Sequence, residues 1–192
     1  LTVGTGTNNM LEFSGNNGFT TVRANAANGV GGQTLTVSNV AAGMSTRQIG
    51  ANGGNNSITL TNVADGAADS LAVATTANAT VATLSVAEEE TLTLSTADGT
   101  FTSTAGTVTD LTSLTVSGDN NATLGTWTGA AVATVDLTGL TDAATFSGTF
   151  TSSAAMTVTS NEAASGYTGT VTITTGSADD TITGTANDDT LN

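Results

Sequence analysis

Between residues 71 and 158 the chain repeats a short apolar beat. The pairs Leu71-x-Val73, Leu92-x-Leu94, Leu114-x-Val116, Val135-x-Leu137 and Met156-x-Val158 follow one another in steps of 21 or 22. Each sets two apolar side chains two positions apart, which turns both to one side of a β-strand. Small or acidic turns follow the last four: Ala97-Asp98-Gly99, Gly118-Asp119-Asn120-Asn121, Leu140-Thr141-Asp142 and Asn161-Glu162. Behind the turns come second apolar sites at Phe101, Leu124, Phe146 and Tyr167. A period of about 20–30 residues built of short strands predicts a solenoid in which each coil stacks on the last. Helical spacing is nearly absent. Val81-x-x-Leu84 comes closest, and Val81–Val86 reads better as a strand.

Residues 1–70 are less regular. Strands are predicted at Leu11–Phe13, Phe19–Val22, Gln33–Val37 and Ser57–Thr61. Turns are predicted at Asn8-Asn9, Gly15–Gly18, Gly31-Gly32 and Gly53–Asn56. The C-terminal stretch divides into nines, 166–174, 175–183 and 184–192. Each opens on small turn residues and carries an aliphatic at its eighth position, Ile173, Ile182 or Leu191. The second and third also carry Asp at the sixth, Asp180 and Asp189. The expected fold is therefore all-β: a parallel β-solenoid with short strands and Gly/Asn/Asp turns. Residues 1–165 supply degenerate coils, and 166–192 begin a tighter nonapeptide roll.

Composition narrows the picture. Hydrophobic residues are 38% of the chain and only seven are aromatic, which suits thin stacked layers rather than a thick core. Thr favours strands through its branched Cβ, and 23 Gly with no Pro supply turns. The net charge is −14, with Arg23 and Arg47 the only strong bases. A phosphate backbone needs a basic surface, so nucleic acid is excluded, as is charge-driven binding to anionic membranes. No apolar run approaches the roughly 20 residues of a membrane span. The start at Leu1 and the stop in mid-repeat are expected of a piece of a longer protein.

The nonapeptides resemble the Gly-Gly-x-Gly-x-Asp-x-aliphatic-x repeat of RTX proteins, which winds a calcium-loaded parallel β-roll. The double glycine is half kept, as Gly176 and Gly184. The fourth position is Ala178 or Asn187, and the first unit has Val171 at the ligand position. The pattern has a physical logic. Calcium takes six to eight oxygens, and small residues let turn carbonyls face an ion. An Asp after the turn adds charge, and the aliphatic two places on points inward. The candidate calcium ligands are Asp179, Asp180, Asn187, Asp188 and Asp189. The resemblance also implies that successive nonapeptides lie on opposite faces. An ion then sits between a loop and the loop two units on, which pairs Asp180 near position 198 and Asp189 near position 207, both beyond Asn192; eighteen residues back from them are Glu162 and Val171. At most the start of a calcium array is expected. The bland alternative is that Asp-Asp-Thr is a polar turn.

Thr/Ala/Gly/Asn-rich strands followed by such nonapeptides look like the lattice-forming part of a Gram-negative surface-layer (S-layer) protein of the Caulobacter kind; large RTX adhesins are similar. The resemblance implies type I secretion, a cell-surface location, and calcium-dependent folding and self-assembly. The partners it implies are further copies of the chain and cell-surface polysaccharide, with no nucleic acid and no membrane insertion.

Two rivals use other residues. Thr34-Leu-Thr36, Thr59-Leu-Thr61, Thr91-Leu-Thr93, Thr172-Ile-Thr174 and Thr181-Ile-Thr183 would line up hydroxyls on one face, as in ice-binding solenoids. A polysaccharide-active enzyme would draw on Glu88, Glu89, Glu90, Asp98, Asp119 or Asp142, since carboxylate pairs cleave glycosides. Without His, Cys or Lys, zinc sites, His or Cys triads and Schiff bases are ruled out in this chain. The carboxylates read as solvated turn acids, so the expectation is no enzyme. Glu88-Glu89-Glu90 is either a solvated loop or a calcium contact between molecules. Arg23 and Arg47 are expected to pair with neighbouring acids.

Overall fold

A computed structural model of the chain describes residues 68–86, 88–129, 131–161 and 167–192 in full. Before residue 68 it describes six strands by their backbone pairing. The strands are β1 Thr2–Gly4, β2 Asn9–Glu12, β3 Thr21–Ala26, β4 Thr34–Val40, β5 Thr46–Gly53, β6 Ser57–Asn62, β7 Ser70–Thr75, β8 Ala79–Ser85, β9 Thr91–Ser95, β10 Phe101–Thr107, β11 Ser113–Gly118, β12 Ala122–Thr128, β13 Thr134–Leu140, β14 Phe146–Thr151, β15 Thr157–Thr159, β16 Val171–Thr174, β17 Thr181–Thr183 and β18 Thr190–Leu191. No described residue is helical.

Each strand pairs in parallel with the strand two further on, so odd and even strands form two parallel sheets. One coil is an odd strand, an edge turn, an even strand and a second edge turn. Five such coils run from β7 to β16. The chain is a β-solenoid, as the apolar beat predicts. Among the described residues the two stacks touch at β5, where Asn52 and Gly53 pair with the start of β8.

The reason is visible in the columns. Leu71, Leu92, Leu114, Val135, Val158 and Ile182 lie one above another along the odd sheet. The first five are buried, as are Val73, Leu94 and Val116 beside them. Burying one such side chain stabilises by about 1.5–3 kcal/mol. A slip of one residue would turn the whole column to water, so the register is tightly specified.

The even sheet carries the bulk. Leu84, Gly106, Trp127 and Phe150 form one column. Trp127 is fully buried, meets Phe150 edge-on at 6.4 Å and 67°, and donates its indole N–H to Ser103 Oγ at 3.0 Å. Gly106 is what admits the ring: a Cβ there would stand 2.6 Å from Trp127 Cδ2. Buried hydroxyls hold the corners. Thr75 Oγ1 donates to the Gly99 carbonyl at 2.7 Å, and Thr96 Oγ1 to the Asn120 carbonyl at 2.8 Å, one coil on.

Coil length changes along the axis. Phe101 stacks on Ala122, Phe146 on Val171 and Thr172 on Thr190, in steps of 21, 25 and 18. These changes correct three registers. Val158, not Met156, stacks on Val135, because the preceding edge turn is longer; Met156 is buried in that turn. Ala122, not Leu124, stacks on Phe101. Val171, not Tyr167, stacks on Phe146. Tyr167 is buried ahead of β16 and donates its hydroxyl to the Ala144 carbonyl at 2.7 Å.

The expected N-terminal strands correspond to β2, β3, β4 and β6, with shifted ends. Strands β1 and β5 carry no clear alternation, and only stacking on β3 and β7 defines them. Phe13, Phe19, Glu162 and Gly166 lie outside the described residues, as do the side chains of Arg23 and Arg47. Hydrogen bonding runs on across residue 166, through β14–β16 and β15–β17.

Candidate functional site

The two sheets and the two edges of the solenoid differ in chemistry. Among the residues described in full every acid except Asp136 lies in a connection between strands; Glu12, described by its backbone, ends β2. Connections from an even to an odd strand form one edge, which carries Asp69, Glu88–Glu90, Asp110, Asp179 and Asp180. Connections from odd to even form the other, which carries Asp98, Asp119, Asp142, Asp188 and Asp189. The segregation follows from the fold. A sheet face stacks identical positions about 4.7–4.9 Å apart, and like charges at that spacing destabilise it. At the edges, turns vary in length and water reaches the side chains.

The broad faces carry hydroxyls instead. Ser70, Thr91, Ser113, Thr134, Thr157 and Thr181 form one row on the odd sheet. Thr80, Thr102, Thr123, Ser147, Thr172 and Thr190 form another on the even sheet. The Thr-x-Thr pairs are thus divided: Thr91-x-Thr93 and Thr181-x-Thr183 stand on the odd face, Thr172-x-Thr174 on the even. The single hydroxyl face expected from sequence is two faces. On the odd face Asp136 interrupts the row between Thr115 and Thr159.

The five candidate ligands separate between the edges. Asp179 and Asp180 sit in the turn from β16 to β17; Asn187, Asp188 and Asp189 sit in the next turn, on the opposite edge. Asp179 and Asp188 are exposed. Asp180 and Asp189 turn along the axis. Asp180 Oδ1 accepts from the Met156 N–H at 2.8 Å, and Asp189 Oδ1 from the Val171 N–H at 2.8 Å. Asp189 also accepts from the Thr185 hydroxyl at 2.9 Å and from the Thr185 N–H. Asn187 Nδ2 donates to the Gly169 carbonyl at 2.8 Å.

The two-unit offset implied by the RTX resemblance, a step of 18, is realised for Asp189 and Asn187. Asp180 departs from it: its partner lies a step of 24 back at Met156, because the coil beneath it is wider. Neutral side chains do the same task elsewhere. Asn78 Oδ1 accepts from the Thr100 N–H at 3.0 Å, and Asn121 Oδ1 from the Thr145 N–H at 2.9 Å. Each of these four residues immediately precedes a strand. The corner N–H it meets would otherwise go unpaired. An amide suffices for that bond, so the charge at 180 and 189 is additional to it.

Calcium needs six to eight oxygens. At the Asp189 level the stacked loop offers Val171 and a Gly169 carbonyl already engaged by Asn187. Among the described residues no three acidic side chains converge to hold a metal. The exposed carboxylates of Asp179 and Asp188 face solvent beside Asp180 and Asp189. Burial first, and the nearby Asp189 charge second, push the Tyr167 hydroxyl above the usual tyrosine range.

Glu88-Glu89-Glu90 is not the fully solvated loop expected. Glu89 is completely buried, and Glu90 Oε2 accepts from the Asp69 N–H at 2.6 Å one coil back. The sequence signal for this was missed. Val86 and Thr91 fix the edge turn's ends on two stacked columns, which leaves too short a turn for all three carboxylates to reach water.

Comparison with protein-family models, with curated proteins and with solved structures returns no match. The RTX and S-layer resemblance therefore stands on the quoted residues alone.

Proposed function

We propose that the chain is a structural component of a bacterial surface layer: a secreted, non-catalytic solenoid that associates with its own copies and binds calcium along its edges. The observation that carries this reading is the segregation of charge. Two ridges of carboxylates flank two faces that, from β7 to β18, carry hydroxyls and a single acid. Copies with net charge −14 repel one another. Neutral faces let them approach, and divalent ions between edges offset the remaining repulsion.

In this reading Asp179 and Asp180 on one edge, and Asn187, Asp188 and Asp189 on the other, each supply part of a calcium shell. A neighbouring coil or molecule supplies the rest. Binding only the folded state raises stability by RT ln(1 + [Ca]/Kd) per independent site. Extracellular modules hold calcium with Kd of about 10⁻⁴–10⁻³ M, so the gain would appear outside the cell.

The test is circular dichroism with light scattering as calcium is raised from chelator to about 10 mM, above that range. β-structure at the C-terminal coil and particle mass are expected to rise together. A chain equally ordered and monomeric throughout would sink the reading. The hydroxyl rows favour a second one, a binding module such as an RTX adhesin or ice-binding segment. It expects a monomer with unchanged scattering.

A further inference from the structure

The geometry points to a sugar-binding depression at the rim of the even face, where the coil narrows. We propose that it seats an uncharged saccharide ring and so attaches the solenoid to a neutral glycan. The depression is shallow and open, holds about 490 Å³ and is lined by residues 149–153 of one coil and 174–177 of the next. That volume is in the range of small-molecule sites.

It exists because the coil shortens at this level: Phe146 reaches round to Val171, whereas Thr172 reaches only to Thr190. Strand β14 runs on to Thr151, but β16 ends at Thr174, opposite Thr149, and turns inward. The shorter coil closes against the longer one at Gly176, where a Cβ would stand 1.8 Å from the Ser152 carbonyl oxygen. The Ser177 N–H donates to that same oxygen at 3.3 Å. A ledge is left, bounded by threonine and serine side chains.

The chemistry of the lining selects the ligand. None of its residues ionises, in a chain that carries 16 acids. An anionic ligand would find no cation there, and a metal would find no carboxylate. Most of the exposed lining is carbon with hydroxyls set among it, so a fitting ligand offers both apolar surface and hydrogen-bonding groups. A pyranose ring has apolar C–H faces and a rim of hydroxyls. It matches threonine side chains that present a methyl and a hydroxyl from one carbon.

The site also has room to extend. Thr149 and Thr151 stack on Thr126 and Thr128 of β12, so a longer chain meets further uncharged hydroxyls down the same face. Ser152 is committed to the fold, since its Oγ donates to the Val132 carbonyl at 2.8 Å. Thr151 and Ser153 are exposed at the mouth.

This inference names a partner for the proposed scaffold. Its test is separable from that reading when run at constant calcium with circular dichroism on every sample. The full chain is titrated with cellohexaose, maltohexaose and chitohexaose, and with hexagalacturonate as the anionic control, while backbone amides are followed by two-dimensional NMR. At least one neutral oligosaccharide is expected to shift the amides of residues 149–153 and 174–177 saturably, and the anionic one to leave them in place. The double variant Thr151→Glu/Ser153→Glu, which puts charge at two exposed positions of the mouth and gives up the long 3.5 Å bond from Thr151 Oγ1 to the Trp127 carbonyl, should bind at least about tenfold more weakly. No shift with any neutral oligosaccharide, equal shifts with hexagalacturonate, shifts centred elsewhere, or undiminished binding by the folded double variant would each overturn the proposal.

Discussion

The wide coils between β7 and β16 and the narrow coil that ends in β18 solve the same stacking problem with different forces. In the wide coils the interior is deep enough for Phe101, Trp127, Phe146 and Phe150, all almost fully buried. Corners there are closed by neutral Asn78 and Asn121 and, between β8 and β9, by the Glu90 carboxylate. In the narrow coil each half-turn contributes one aliphatic. Ile173 is buried, Ile182 half-buried, and Leu191 is 39% exposed. Its corners are closed by the carboxylates of Asp180 and Asp189. Apolar burial is deep where the coil is wide; where the coil narrows less apolar surface is buried, and the corner hydrogen bonds carry a larger share of its order.

Three perturbations probe that contrast. The largest effect is expected for Trp127→Ala, which empties the widest layer and strands the Ser103 hydroxyl. It should cost about 3–5 kcal/mol by denaturant unfolding, whereas Leu191→Ala should stay within about 0.5 kcal/mol. Similar costs at the two sites would erase the distinction between the regions. Next comes Gly106→Ala, which presses a methyl into the Trp127 ring and should cost about 1–3 kcal/mol through overpacking. A neutral result would mean that the wide layer is looser than its packing indicates.

The smallest effect, and the most specific, is expected for Asp189→Asn. The amide oxygen can still accept from the Val171 N–H, as Asn78 and Asn121 do for their neighbours. Stability in chelator should therefore change by less than about 1 kcal/mol, while the response to calcium is lost. A retained response would place calcium elsewhere. Tyr167 is the single tyrosine of the chain and reports on this corner. Its folded pKa is raised, so its stabilising contribution is complete below the unfolded tyrosine value of about 10. That contribution is lost as pH rises through the folded value. Asp189→Asn removes the secondary cause, the charge. Ultraviolet titration should therefore show Tyr167 ionising at a lower pH than in the parent chain, yet still above the usual range because burial persists.

The architecture was legible in the sequence because apolar pairs two positions apart, repeated at a near-constant step, admit few folds other than stacked parallel strands. Leu71, Leu92, Leu114 and Val135 stack as their spacing requires. The nine-residue spacing was legible too, in the step of 18 by which Thr172 stacks on Thr190. Register beyond Val135 was not legible, because turn length is variable and only the stacked neighbour shows where a longer turn absorbs its extra length. Met156 and Val158 are both apolar and two apart, so either satisfies the pattern. What the strands and turns are follows from local periodicity, which any window of the chain displays. Which carboxylate is buried, which corner N–H it meets, how charge separates from hydroxyls, and where narrowing opens a ledge are relations between residues a full coil apart in sequence. Those relations exist only once the coils are stacked, because coil length sets which side chains share a level.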